Sequence, residues 1–219
     1  MTELIRVIDF ETTGLPPDSS VCEAAYVDIV GGALDSTWHR LVQPTTEMTL
    51  EALATHHITP DEAKVNGIPW EEAKAILEIK DGIYVAHNAD FEKQFFNPEG
   101  SEWIDTWKVA LRIWPDAPSH SNQVLRYFLN LEVGVRAMPP HRALPDAWVT
   151  AHILDRALQK VTVNEMVHWS SEPAYLTKLT FGKHRGKRYS EVPRDYLEWL
   201  CRQDMDASVL AAARRTLAS

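Results

Sequence analysis

The sequence predicts an α/β domain over residues 1–170, followed by a small module over residues 174–219. Three observations support this prediction. The 219 residues suffice for one α/β domain of ordinary size with a short appendage. Apolar, strand-like runs are interspersed with stretches of helical spacing. The composition changes near Ser170–Pro173, and the residues that follow are so few that we expect them to pack against the main domain or a partner.

The start of the chain predicts an antiparallel meander of three strands. These apolar, β-branched runs are Leu4–Asp9, Val21–Val30 and Trp38–Val42. The pair Gly31-Gly32 lies between the last two runs and is a hairpin signal. Helical spacing then predicts helices over Leu50–His57 and Pro69–Lys80.

The rest of the domain is predicted to be mostly helical. Ile83–Ala86 predicts a short buried strand that leads into a helix over Asn88–Phe96. Further helices are expected at Asp105–Ile113, Asn122–Leu129 and Arg142–Leu158. In the C-terminal module we expect a basic β-turn-β stretch and then two helices. Their ranges are Leu179–Val192, Tyr196–Cys201 and Ala207–Leu217.

Composition narrows the class of protein. The net charge of −9 argues against a general polyanion-binding protein. No apolar run approaches the length of a membrane span, and the first residues lack the pattern of an export signal. We therefore expect no membrane association and a cytoplasmic location. The only two cysteines, Cys22 and Cys201, lie far apart and indicate neither a disulfide framework nor a cysteine metal site.

The first chemical motif lies at the end of the first predicted strand. Asp9 and Glu11 are two residues apart, so their carboxylates project from the same face. Such close anions repel each other, and a divalent cation such as Mg²⁺ or Mn²⁺ would relieve the repulsion. The following Thr12-Thr13-Gly14 turn offers backbone N–H groups to a phosphate or a nucleotide sugar.

Two further clusters follow along the chain. Asp90 and Glu92 fall in the first turn after Asn88, although acids near helix starts are common and need no function. His141 precedes the longest helix, and Asp146 lies in its second turn. Taken singly, these residues are compatible with ordinary surface positions. Taken together, they predict a carboxylate cage with a histidine base, which two-metal-ion phosphodiester hydrolysis requires.

The order Asp-x-Glu, His-Asn-x-x-Phe-acid and His-x4-Asp resembles the DEDDh branch of the 3′–5′ exonuclease superfamily. This branch includes polymerase proofreading subunits, ribonuclease T and oligoribonuclease, and the chain is most similar to its exodeoxyribonuclease X-like group. The resemblance spans Ile5 to about Leu158. It implies a ribonuclease H-like mixed five-stranded sheet flanked by helices, with a small C-terminal α+β module.

The resemblance also implies roles for these residues. Asp9, Glu11 and Asp146 would hold two Mg²⁺ ions, with Mn²⁺ as a substitute, and His141 would be the general base. Glu92 stands where the family has Asp and is favoured as the fourth acid. Asp90 is the alternative. Substrate binding would fall to a set of turn and loop residues: Thr12, Thr13, Gly14, His56 and Asn88.

The resemblance extends to the C-terminal string 181–187, which is similar to the module of the exodeoxyribonuclease X-like group. This string would bind phosphates through Lys183, Arg185 and Lys187. A basic run of this kind is also typical of a solvated turn, and the module could instead bind a protein partner. Homodimerisation is also open.

The expected function is a two-metal-ion 3′–5′ exonuclease that releases 5′-mononucleotides from DNA ends. Single strands would be preferred, with duplexes possible. One alternative is an exoribonuclease that trims RNA 3′ ends. The other is a catalytically weak nuclease fold that only binds nucleic acid, which the Glu92 substitution leaves open.

Overall fold

A five-stranded mixed sheet forms the centre of the computed structural model, which describes residues 4–218. The strands are β1 (Leu4–Thr12), β2 (Val21–Val30), β3 (Ala33–Leu41), β4 (Ile83–Ala86) and β5 (Glu102–Asp105). Their order across the sheet is β3-β2-β1-β4-β5. The first three strands pair antiparallel, whereas β4 pairs parallel with β1 and β5. The predicted fold class of the main domain is therefore confirmed.

Helices cover both faces of this sheet. Those of the main domain are α1 (Leu50–His56), α2 (Pro60–Asn66), α3 (Trp70–Leu77), α4 (Ala89–Glu92), α5 (Thr106–Ile113), α6 (Asn122–Phe128), α7 (Ala143–Leu158) and α8 (Val163–Ser171). The module adds α9 (Arg194–Leu200) and α10 (Ala207–Leu217). None of the helices within residues 4–218 combines the length and the apolar character needed to cross a membrane.

The central strand β1 positions the acidic residues. Ile5 and Val7 pack in the core cluster that contains α7, whereas Ile8 and Phe10 pack in the cluster on the opposite face. Side chains alternate between faces along a strand. The positions that continue the series Ile5, Val7 are 9 and 11, so both acids of β1 emerge on the face that α7 covers.

Several predicted elements differ from the structure. The sequence did not predict strand β5, because its last residue, Asp105, is typical of a helix start. Its side chain does cap α5, accepting from the N–H groups of Trp107 and Lys108. Helices α2 and α8 were also missed. The helix expected over Asn88–Phe96 is confined to Ala89–Glu92.

The β-turn-β prediction for the C-terminal module is wrong. Within Leu179–Val192 the structure has two short 3₁₀ helices, Gly182–His184 and Tyr189–Glu191, and the segment pairs only through an isolated bridge between Lys178 and Arg188. Gly182 and Gly186 have φ values of 65° and 88°. These left-handed positions curl the chain tightly, which prevents two extended strands from forming. The described part of the module is therefore helical rather than α+β.

The module has an apolar cluster of its own. Its buried members are Leu179, Tyr189, Val192, Leu197, Leu200, Ala212 and Ala213. Helix α8, just before the module, instead places Met166 in the core of the main domain. The domain boundary near residues 170–174 stays a prediction.

A buried ion pair joins β1 to β2 beside the core. The Arg6 guanidinium donates to both carboxylate oxygens of Asp28, at 2.8 and 2.7 Å. It also donates to the carbonyl oxygens of Ile76 and Leu77 at the end of α3. Arg6 therefore ties two strands and a helix together, and every charge in the pair is compensated.

We expect Arg6→Ala to lower the free energy of unfolding by about 3–5 kcal/mol, because Asp28 would remain buried without its partner. Urea denaturation would measure the change. The matched control is Arg194→Ala, which breaks an exposed pair with Glu198 and should cost less than about 1 kcal/mol. Equal losses in the two variants would contradict this account of Arg6.

Candidate active site

Four carboxylates from three distant segments meet at the carboxyl end of β1. Asp9 and Glu11 come from β1, Glu92 from α4 and Asp146 from α7. Burial raises the pKa of Asp9 well above its ordinary value, and repulsion from Asp146, Glu11 and Glu92 raises it further. Burial likewise raises the pKa of Glu11 to about 8, with Asp146 adding to the effect. We call these four residues the carboxylate cluster.

The chemistry of the cluster fits hard divalent cations. Neither Asp9 nor Glu11 accepts a hydrogen bond from residues 4–218, and Glu92 Oε2 is buried without a partner. Burying unpaired anions is costly, whereas carboxylate oxygens are preferred ligands of Mg²⁺. No three acidic, histidine or cysteine side chains in the described range already form a metal-ligand group. Ion binding would therefore draw these mutually repelling side chains together.

The structure separates the two candidates for the fourth acid. Glu92 is only 4% exposed and lies within the cluster. The side chain of Asp90 is 59% exposed and pairs with Lys108 at 2.8 Å, so it points away. Positions two apart on a helix differ in direction by roughly 200°. Asp90 is thus not a member of the cluster, and Glu92 is.

Asp146 is held from two sides. Gln123 Nε2 donates to its Oδ1 at 2.7 Å, and the backbone N–H of His141 donates to its Oδ2 at 2.8 Å. Burial still raises the pKa of Asp146 overall. Sequence reasoning missed Gln123, because nothing in its surroundings on α6 signals a partner 23 residues away.

The His141 ring is exposed and makes no hydrogen bond with the described residues. It lies close enough to Asp146 to counteract the rise in the pKa of that carboxyl. The backbone of His141 has a φ of 59°, so the chain turns sharply just before α7. The structure therefore places an unengaged imidazole beside the carboxylate cluster.

An ion pair that sequence reasoning missed holds the start of α7. Arg142 donates to both carboxylate oxygens of the buried Glu23 on β2, at 2.6 and 3.0 Å. The Ala143 N–H donates to the same carboxylate at 2.9 Å. Glu23 is the register partner of Glu11. This pair therefore locks the residue after His141 to the strand beside the cluster.

A cavity of about 500 Å³ opens next to Glu11. Its lining includes Thr12, Gly14, Leu15, Thr55 and His56. His56 forms part of the wall, but both ring nitrogens have protein partners. Nδ1 accepts from the Ile58 N–H, and Nε2 faces the Thr12 carbonyl oxygen at 3.3 Å. His56 thus shapes the cavity and supports the end of β1.

The remaining predicted substrate residues have different surroundings. Thr12 lines the cavity, whereas Thr13 is buried and its hydroxyl is engaged with Thr46 and the Ser20 N–H, so Thr13 does not face the site. Asn88 lies at the turn before α4, and its backbone N–H donates to Asp105.

The residues predicted to contact phosphates do not line the cavity beside Glu11. Lys183, Arg185 and Lys187 are exposed on the C-terminal module. Arg185 lines a second cavity between the module and the main domain.

The raised pKa of Glu11 predicts how metal-free stability depends on pH. The ordinary value is 4.5 and the folded value is about 8. Below pH 4.5, the proton on Glu11 therefore makes its full contribution to the free energy of unfolding. This contribution is lost as the pH rises through about 8. We expect the free energy of unfolding in EDTA to fall across this interval, as measured by urea denaturation.

Glu11→Gln should make this fall shallower, and Glu99→Gln, which removes an exposed acid outside the cluster, should leave it unchanged. Saturating Mg²⁺ should also flatten it, because the cation takes the place of the proton. A fall of the same slope in Glu11→Gln would refute the assignment to Glu11.

The chain is similar to a known protein family and to individual proteins of known activity. The RNase T family model, described as Exonuclease, matches residues 7–154. Exodeoxyribonuclease 10 of Escherichia coli (strain K12) is 37% identical over 206 residues, which cover 90% of each chain. DNA polymerase III PolC-type of Thermotoga maritima is 30% identical over 164 residues, which cover 70% of this chain and 12% of that protein.

A solved structure of exonuclease X in complex with 5′-overhanging duplex DNA also matches, with a TM-score of 0.68 and 31% identity. The match covers 76% of this chain and 99% of that chain. The resemblance to DEDDh exonucleases of the exodeoxyribonuclease X-like group is therefore confirmed. The chain belongs to the exonuclease family, as a 3′–5′ exonuclease that acts on nucleic-acid ends.

Proposed function

We propose that this exonuclease hydrolyses DNA from its 3′ ends with two divalent metal ions and releases 5′-mononucleotides, with single strands preferred. The observation that carries the proposal is the carboxylate cluster. Four acids with raised pKa values converge beside an unengaged histidine. Such a cluster is costly to a protein that does not bind cations.

Asp9, Glu11, Glu92 and Asp146 would hold the ions, and Mg²⁺ is the expected metal with Mn²⁺ as a substitute. When bound, the ions activate water and stabilise the charge that develops on the leaving oxygen. His141 would remove the proton of the attacking water as the general base. Gln123 and the His141 N–H keep Asp146 oriented during this step.

The cavity beside Glu11 is the proposed site of the terminal nucleotide. Its volume of about 500 Å³ is within the range of small-ligand pockets. Leu15 at its edge is 81% exposed and offers an apolar surface to a base. A base can enter this cavity only after it leaves its partner strand, which supports a preference for single-stranded ends.

DNA is favoured as the substrate because of the relatives. One is an exodeoxyribonuclease that aligns over 90% of the chain, and the solved exonuclease X is bound to DNA. The burial of Glu92 within the cluster favours an active enzyme over a nuclease fold that only binds nucleic acid. A cytoplasmic location is part of the same proposal.

A DNA oligonucleotide labelled at its 3′ end tests the function. We expect Mg²⁺-dependent release of the labelled mononucleotide, and loss of release in Asp9→Ala and Glu92→Gln, because each removes a ligand charge. Asp90→Ala is the matched control and should retain activity. Release from a matched RNA oligomer but not from DNA would overturn the substrate assignment. Binding without cleavage in both Mg²⁺ and Mn²⁺ would overturn the enzymatic one.

His141→Ala should lower kcat by about 10²–10⁴-fold, the usual contribution of a general base. KM should change little, because the ring is needed for proton transfer rather than for binding. The control is His168→Ala, which removes an exposed ring on α8 and should leave kcat unchanged. Steady-state kinetics on the same oligonucleotide would measure both. A loss confined to KM would argue against a base.

A further inference from the structure

The second cavity lies between the main domain and the C-terminal module. We call it the module cleft. It has a volume of about 610 Å³, within the range of ligand sites. Helix α5 and residues 115–121 form one wall, and residues 176–186 form the other. Its lining includes Trp107, Ser119, His120, Lys178, Thr180 and Arg185.

Two cationic residues, Lys178 and Arg185, line the module side of the cleft. Residues 178–188, the basic segment, contain five Lys or Arg residues and no acid. All five are exposed, and none forms an ion pair with any residue in the range 4–218. The chain as a whole has a net charge of −9. A concentrated positive segment on an acidic protein indicates an anionic ligand at that place.

The opposite wall offers a complementary surface. Trp107 is partly exposed and lines the cleft together with the hydroxyl-bearing Ser119 and Ser121. An aromatic ring facing cationic side chains across a groove is the arrangement that binds single-stranded nucleic acid, because bases stack and phosphates pair with cations.

The main-domain wall of the cleft is linked to the active site through hydrogen bonds and through α6. The backbone N–H of Trp107 donates to Asp105, which also accepts from the backbone N–H of Asn88 at the turn before α4, the helix that carries Glu92. Ser121 precedes α6, which carries Gln123, the residue that holds Asp146. Both ends of the main-domain wall therefore lie within a few residues of the elements that carry Glu92 and Gln123.

We propose that the module cleft binds the substrate strand upstream of the bond that is cut. Lys178 and Arg185 contact phosphates, and Trp107 stacks on a base. The inference rests on the proposed function, since it assigns the rest of the strand whose terminal nucleotide enters the cavity beside Glu11. It also assigns a purpose to the C-terminal module, which lies beyond the residues that the family model covers.

The decisive experiment measures binding of a single-stranded DNA 20-mer by fluorescence anisotropy in EDTA at several salt concentrations. In the Lys178→Ala/Arg185→Ala variant, we expect the slope of log K against log salt to decrease by about 0.7 for each phosphate contact removed. Lys160→Ala/Arg202→Ala is the matched control, because it removes two exposed cations outside the cleft. Its slope should equal that of the wild type.

Trp107→Ala should weaken binding of the 20-mer about fivefold or more, the range that base–aromatic stacking provides. Trp107→Phe keeps a stacking ring and should restore most of this loss. Thermal melting of each variant would establish that it is folded. Equal weakening in Phe and Ala variants of matched stability would reject the stacking role.

Chain-length dependence separates this inference from the proposed function. The ratio of kcat/KM on the 20-mer to that on a dinucleotide should fall in Lys178→Ala/Arg185→Ala and not in the control. If Mg²⁺ supports no cleavage at all, the proposed function fails while the binding result still decides on the cleft. The inference would be overturned if the variant changed neither the slope of log K against log salt nor the ratio of kcat/KM on the two substrates. That result would favour a protein partner for the basic segment.

Discussion

Repulsion among the four acids of the carboxylate cluster is the constraint on which the rest of the structure depends. Without a counter-ion, each of Asp9, Glu11, Glu92 and Asp146 binds its proton more tightly than it would in water. The fold therefore has to supply stability elsewhere to hold them together. It does so with a central strand buried on both faces and with buried ion pairs whose members are fully matched.

Three structural elements position the four acids, and these elements differ in how predictable they are from the sequence. The alternation of β1 brings Asp9 and Glu11 to one face, which follows from the apolar run alone. The long apolar face of α7 likewise predicts a helix that carries Asp146. The partners of these elements could not be predicted, because Gln123 and Glu23 become neighbours of α7 only after the chain folds.

The errors in the predicted elements have local causes. Strand β5 has four residues, too few to show a period, and its last residue also caps the next helix. The basic segment has the residue pattern of a hairpin. Two left-handed glycines instead curl the chain, so that only Lys178 and Arg188 at its two ends form a β-bridge. In the first place the helix-start signal of Asp105 was correct but concealed the strand before it, and in the second the left-handed glycines overrode the hairpin pattern.

Charge explains how an acidic protein can act on a polyanion. The carboxylate cluster would repel a phosphate backbone until cations neutralise it, so metal binding would have to precede productive binding of substrate. The basic segment is separate in sequence and belongs to the module, so it can attract phosphates regardless of whether the cluster is loaded. If both proposals hold, the strand would be captured at the module cleft and cut only when metal ions have converted the cluster from a repulsive surface to an attractive one. An acidic net charge then limits non-specific binding elsewhere on the surface, and the two local sites confine the nucleic acid to one path.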